Sequence, residues 1–195
     1  MAMTDVLSVA RRNALLVGLT VAATAGAAAG SAAAAEAQSN VASAKTATTD
    51  QFPMLLPKTE FVYEAIVDIA PTLQLGMSPY GDRRMVPITG GTFEGPGLRG
   101  RVLPGGADRQ LVRRDGSVNL DAIYELQTDD GVVISVRNRV LSWQPKDQPS
   151  YRFSTIDITV ADGKYGWLND YVYFGTLNSL RPKREAVVIR VYKVV

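Results

Sequence analysis

The 195-residue chain contains no cysteine and no histidine, and these two absences narrow its chemistry more than any motif present. Without cysteine there is no disulfide, so the folded part holds together by packing alone even in an oxidising compartment. The two absences together exclude Ser-His-Asp and Cys-His nucleophilic catalysis, zinc sites with their usual ligands, haem held by histidine, and imidazole acid–base chemistry at neutral pH. Any catalysis falls to carboxylates, Tyr, Lys or Arg, or to a hard oxygen-bound metal, and the residues point to no metal and no cofactor. A dominant charge is lacking too: 21 Lys and Arg stand against 19 Asp and Glu, a formal net charge of +2. That bias is too weak to imply a nucleic acid partner or an anionic membrane surface.

The first 37 residues read differently from the rest. Arg11 and Arg12 precede an uncharged run over 13–35 rich in Ala, Gly, Leu and Val, ending in small residues. This is the layout of a positive n-region, an apolar h-region and an A-x-A cleavage site, with Ala35-Glu36-Ala37 before Gln38 as the expected cut. A retained membrane anchor is the alternative, since the run is long enough to span a bilayer, but its Ala and Gly content is weakly hydrophobic. The arginine pair followed by Asn-Ala-Leu-Leu suggests the twin-arginine route, with an ordinary secretory signal as the other possibility. Asp5, Arg11, Arg12 and Glu36 cancel, so removal of residues 1–37 leaves the net charge unchanged. The expectation is a periplasmic or secreted protein without stable membrane insertion.

Residues 38–57 read as a flexible leader, with Ser, Ala, Thr, Asn and Lys and no periodicity at its start. Beyond it the pattern alternates. Over 59–69, Phe61, Tyr63, Ala65, Val67 and Ile69 fall on one face and Glu64 and Asp68 on the other, as in a half-buried strand. The signal returns over 85–93, 98–103, 110–113, 118–127, 132–140, 151–160, 171–177 and 186–194. About nine short strands separated by Gly, Asp and Pro predict an all-β, antiparallel sandwich or barrel over 58–195. Asp115-Gly116, Asp129-Asp130-Gly131 and Asp162-Gly163 supply hairpin turns. Residues 164–170 are the one stretch suited to a helical turn.

Several motifs occur in a recognisable order: PITGGTFEGPGLRGRVLPGGAD over 87–108, LVRRDG over 111–116, LDAIYELQTDDGVVISVRN over 120–138, and YGWLNDYVYFG over 165–175. With them the chain resembles, over about 61–194, the domain-of-unknown-function family 3237, also called uncharacterised protein family 0311. The resemblance implies a β-barrel akin to lipocalin-like or allene-oxide-cyclase-like barrels and assigns no function. Two departures stand out: Arg109 replaces a usual Trp, and Tyr151-Arg152-Phe153-Ser154-Thr155 replaces a usual Tyr-Phe-Arg-Thr element.

Candidate site residues follow from the barrel reading. The glycines at 90, 91, 95, 97, 100, 105 and 106 suit barrel corners better than a phosphate cradle, because no helix follows them. Asp108, Arg137 and Asn138 are expected at the interior mouth, with Asp108 paired to Arg137, either as polar groups orienting an apolar ligand or as a structural salt bridge or turn cap. Tyr124 shares a face with Leu120, Ala122 and Leu126 and is expected to point inward. Glu64 and Glu94 are further carboxylates whose side of the wall is open. The arginines at 99, 101, 109, 113 and 114 read as a solvated face. Trp167, Tyr171 and Tyr173 either line an aromatic site or close the barrel end.

Two functions remain open on these residues, with a structural or interaction role as the third reading if the interior is filled. One is a barrel that binds a small hydrophobic or aromatic molecule through Asp108, Tyr124, Arg137, Asn138, Glu94 and Trp167, as a monomer or homo-oligomer. The other is a cofactor-free isomerase, cyclase or lyase in which a cavity carboxylate moves a proton while Arg137 or Tyr124 steadies the developing anion. The leader gives the first prediction: chain recovered from outside the cytoplasm should have the mass of a polypeptide beginning at Gln38. Full-length chain held in the membrane fraction would overturn cleavage.

Overall fold

The computed structural model describes residues 55–195. The expected signal segment, and the leader up to residue 54, lie outside the described residues.

Among the described residues, ten antiparallel strands follow one another with a single short 3-10 helix between the eighth and ninth. They are β1 (Thr59–Ile69), β2 (Leu73–Ser78), β3 (Gly81–Gly95), β4 (Leu98–Val102), β5 (Ala107–Val112), β6 (Val118–Thr128), β7 (Val133–Trp143), β8 (Tyr151–Val160), β9 (Tyr173–Ser179) and β10 (Ala186–Val194). Eight of them make a closed circuit, β1-β10-β9-β8-β7-β6-β4-β3, which pairing of β1 with β3 seals. Off this circuit, β5 continues the wall beyond β4 between the same neighbours, β3 and β6. β2 pairs only with the first part of β3. Of the sandwich and the barrel that the alternation leaves open, the structure is the antiparallel barrel that the family resemblance implies.

The strand count is ten and not nine because β2, Leu73 to Ser78, is exposed along nearly its whole length. It buries no face, so it carries no alternating signal to read. In β1 the phase expected for Phe61 is also corrected. A bulge at Val62 places two residues where the partner β10 has one, so Val62 and Tyr63 are both buried and Phe61 is turned out against Tyr192. Gly91, Gly95, Gly100 and Gly106 act at strand contacts, where a Cβ would not fit, whereas Gly97 and Gly105 lie in turns with open space around them. Gly91 has φ +136°, and a Cβ there would collide with the carbonyl of Ile66; one on Gly95 would collide with that of Val62. Both collisions fall on the β1–β3 seam.

Alternation sorts the wall into an inner and an outer face. Along β7, Ile134, Val136, Asn138 and Val140 are buried while Val133, Ser135, Arg137, Arg139 and Leu141 are exposed. One end of the barrel is filled: Tyr63, Phe93, Leu126, Ile134 and Tyr173 are fully buried there, and Leu168 of the 3-10 helix (Gly166–Asn169) plugs it from outside. Asn169 fixes this plug by bonding both backbone groups of Val160, and the Tyr173 hydroxyl donates to the Leu168 carbonyl at 2.9 Å. Asp130, in the adjoining hairpin, accepts from Lys164 at 2.7 Å and from Thr128 and Tyr165. Those bonds, that of Lys164 foremost, bring its carboxyl down to about 2. The helical turn expected over 164–170 is this plug.

Candidate functional site

The opposite end is open, because smaller inner side chains sit where the aromatic residues are at the filled end. A cavity of about 280 Å³ enters from the mouth and is walled by aliphatic groups such as Val86, Ile88, Leu120, Val140 and Ile189. Its polar groups come from a few neighbouring rows. Asp108 of β5 is level with Ala122 of β6, and Ala122 is level with Asn138 of β7. The two polar residues therefore flank a methyl group, with their strands about 10 Å apart at two inter-strand spacings. The small side chain between them leaves room for both to face one ligand. Tyr124 lies one inward step from Ala122 toward the filled end, and Gln110 one step from Asp108 toward the mouth.

Among the described residues, Asp108 is the one carboxylate lining this cavity. One of its oxygens accepts from the Gln110 side-chain amide at 2.6 Å, the other from the Asp121 backbone N–H at 3.0 Å. Burial pushes its pKa up; the two hydrogen bonds oppose the rise, and the negative charge of Asp121 adds to it. Beside it, the Asn138 side-chain oxygen and the Tyr124 hydroxyl are buried without hydrogen-bond partners among the described residues. The same holds for the Tyr63 hydroxyl deeper in. Burial, and then the neighbouring Tyr124, raises the Tyr63 phenol well above its ordinary pKa, and burial raises Tyr124. The two hydroxyls do not meet hydrogen-bond geometry with one another. Each buried polar atom left unpaired costs about 1–3 kcal/mol.

The structure thus brings together Asp108, Tyr124 and Asn138, and it separates the other three candidates from them. Arg137 does not pair with Asp108: neighbouring residues of a strand point to opposite faces, so with Asn138 inside, Arg137 must lie outside. Its guanidinium holds the Asp121 carboxylate by two bonds of 2.9 and 2.7 Å on the outer wall, and that partner raises its pKa further. Glu94 is exposed for the same reason, because Phe93 before it takes the inner position, and it faces an outer groove with Glu64 and Arg99. Glu64 is also outside, paired to Arg190 at 2.7 Å. Trp167 belongs to the plug at the filled end, edge-on to Tyr171 at 6.4 Å and beneath the Lys193 ammonium at 5.7 Å, away from the cavity. Arg99 and Arg101 are on the solvated face, as the alternation implied, bonded to Asp129 and Gln127.

Sequence reasoning passed over Gln110, Arg84, Arg152 and Arg181, all of which line the cavity. For three of them the signal was available: Arg84 has the parity of Val86 and Ile88. Gln110 has the parity of Asp108, and Arg152 has that of Ser154, Ile156 and Ile158. Arg181 lies in a loop, where no parity operates.

The family model described as protein of unknown function (DUF3237) matches residues 57–194. A UPF0311 protein of Rhodopseudomonas palustris is 31% identical over 150 residues, spanning 70% of this chain and 96% of that protein. A crystal structure of a conserved protein of unknown function from the same species superimposes with TM-score 0.67 at 30% identity, covering 73% of this chain and all of that one. A beta-barrel like protein from Acinetobacter baumannii gives TM-score 0.67 at 32% identity, over 74% and 99% of the two chains. More distantly, a hydroalkoxylation enzyme of Penicillium herquei is 28% identical over 120 residues, 62% of this chain and 74% of that one.

The environment of Asp108 generates a prediction about pH. A carboxyl whose pKa folding raises holds its proton more tightly when folded, so it lowers stability as pH climbs from the ordinary carboxylate range through the folded pKa. Asp108→Asn removes that loss. In urea unfolding, the stability of the variant relative to the wild type should rise between about pH 3.5 and pH 7. A difference that stays constant across the range would show that Asp108 titrates normally.

Proposed function

This chain belongs to the DUF3237 family, and on that premise we propose that the barrel takes one small, largely apolar molecule carrying an oxygen function into its open cavity. The observation that carries this reading is the set of three inward polar residues on an aliphatic wall, two of them with unpaired atoms. Asn138 presents an acceptor, Tyr124 a hydroxyl that both donates and accepts, and Asp108 a carboxyl. A ligand hydroxyl or carbonyl would satisfy them, while the ring or chain that bears it replaces water against Leu120, Val140 and Ile189. A cavity of this volume sits at the small end of ligand pockets, which suits a molecule of one or two rings. Removal of residues 1–37 would place that binding outside the cytoplasm.

Binding of 2-naphthol tests the reading. In nitrogen–proton correlation spectra it should shift the backbone amides of Ala122, Asn138 and Ile189 in a saturable way. Ala122→Leu, which fills the gap between Asp108 and Asn138, should weaken that binding by about ten-fold or more. Shifts confined to the outer aromatic cluster of Trp143, Tyr151 and Phe153 would remove the reading.

A second reading is favoured by the raised pKa of Asp108 and by the Penicillium herquei relative. It is a cofactor-free cyclisation in which an alcohol O–H adds across a carbon–carbon double bond. Protonated Asp108 gives its proton to one alkene carbon, the ligand oxygen bonds to the other, and the hydroxyl proton returns to the Asp108 carboxylate. Atoms balance and no oxidant or reductant is consumed. With 2-allylphenol in deuterated water, the wild type should form the dihydrobenzofuran with one deuterium on its new methyl group, and Asp108→Asn should form none. Unchanged allylphenol with the wild type leaves the barrel a binding protein.

A further inference from the structure

Three arginines from distant parts of the chain reach the mouth of the same cavity: Arg84 of β3, Arg152 of β8 and Arg181 of the loop between β9 and β10. Two of them are aimed there by the pleat. Arg84 has the inward parity of Val86 and Ile88, and Arg152 that of Ser154 and Ile156. A cation on the inner face of a barrel is expensive unless an anion meets it.

Their partners are unequal. Arg84 holds Asp82 at 3.1 Å, and Arg181 holds Glu185 at 2.7 Å. Arg152 has no carboxylate within ion-pair distance among the described residues. Exposed Arg83, Arg101, Arg109 and Arg114 lack one too, but of these five Arg152 alone lines the cavity, while the outer-wall arginines 99, 137, 139 and 190 each have a carboxylate partner. Asp108, the carboxylate of the cavity, is engaged by Gln110 and a backbone N–H and by no arginine. Around Arg152 stand further donors. Ser142 is its cross-strand partner on β7, and Ser179 lines the same mouth. The entrance therefore presents a free guanidinium and hydroxyls above an aliphatic chamber.

We propose that the ligand also carries a carboxylate, which rests on Arg152 at the mouth while its apolar body fills the chamber and its oxygen function reaches Tyr124 and Asn138. This rests on the cavity reading above and adds the ligand's charge and orientation to it. A guanidinium meets a carboxylate by two parallel N–H bonds, which fixes direction as well as adding affinity. Arg84 and Arg181, each already paired, contribute positive potential at the entrance and need not touch the ligand.

The experiment compares two probes of nearly equal shape, 2-naphthoate and 2-naphthamide, by calorimetric titration at neutral pH into the full barrel. A charge-assisted contact predicts that the wild type binds naphthoate about ten-fold more tightly than naphthamide, with the advantage shrinking as salt is added. Arg152→Gln should bring naphthoate down to the level of naphthamide and leave naphthamide unchanged, which also shows an intact chamber. Arg152→Lys should keep part of the preference. If Arg152→Gln does not fold, the wild-type comparison and its salt dependence still decide. Equal affinity of the wild type for the two probes overturns the inference and leaves the cavity reading standing. Binding of neither probe overturns both.

Discussion

Pairing of β1 with β3 is the constraint on which the rest of this barrel depends. It runs from Glu64 opposite Glu94 to Ile69 opposite Ile88, and it joins the two ends of an otherwise open meander. Only closure removes both exposed edges of such a sheet. The seam is possible because β3 presents Gly91 and Gly95 where the β1 backbone lies too close for any side chain. Once it forms, one face of every strand in the circuit is enclosed, and the inner residues must either pack or line a cavity.

The contents of the enclosure differ along its axis. Toward the 3-10 plug, aromatic rings fill the cross-section, and Tyr63 meets Phe93 edge-on at 5.8 Å. Toward the mouth the inner rows contain Ala122, Leu120, Val140 and Ser142, whose smaller volumes do not reach the axis, and the space between them is the cavity. Its polar groups are costly without partners, as the Asn138 oxygen and the Tyr124 hydroxyl show. A fold held by packing alone, with no disulfide to offset such costs, carries them at the place where an oxygen-bearing ligand would relieve them. The outer wall follows the opposite rule. Arg137, Arg139 and Arg190 are matched there by carboxylates on neighbouring strands, and Arg137, held by Asp121, is absent from the site.

Much of the site was legible from parity. Tyr124 could be placed inside by its company of Leu120, Ala122 and Leu126, and the same rule applied to β7 would have separated Asn138 from Arg137. Arg152 was readable in the same way from Ser154 and Ile156. Phe61 was not, because the bulge at Val62 changes the parity of β1 without changing its composition. Glu94 and Trp167 were misplaced for different reasons. Glu94 follows the Gly90-Gly91 bend, where alternation is interrupted, and Trp167 sits in a turn whose docking against the filled end depends on Asn169 and Tyr173.

By itself the sequence determined the all-β class, the positions of most strands and turns, the chemistry excluded by the absence of cysteine and histidine, and the face on which most strand residues lie. These are properties of single segments, since a period of two and a Gly-containing turn act within a few residues. The tertiary structure decided which rows are level across strands, which end of the barrel is filled, and that Asp108 stands level with Asn138 on either side of Ala122 while three arginines share one mouth. Those facts depend on pairings between residues far apart in the chain, such as Val86 with Asp108 and Asp68 with Gly90. Register across a closed sheet is fixed by the circuit as a whole, so no single strand encodes it.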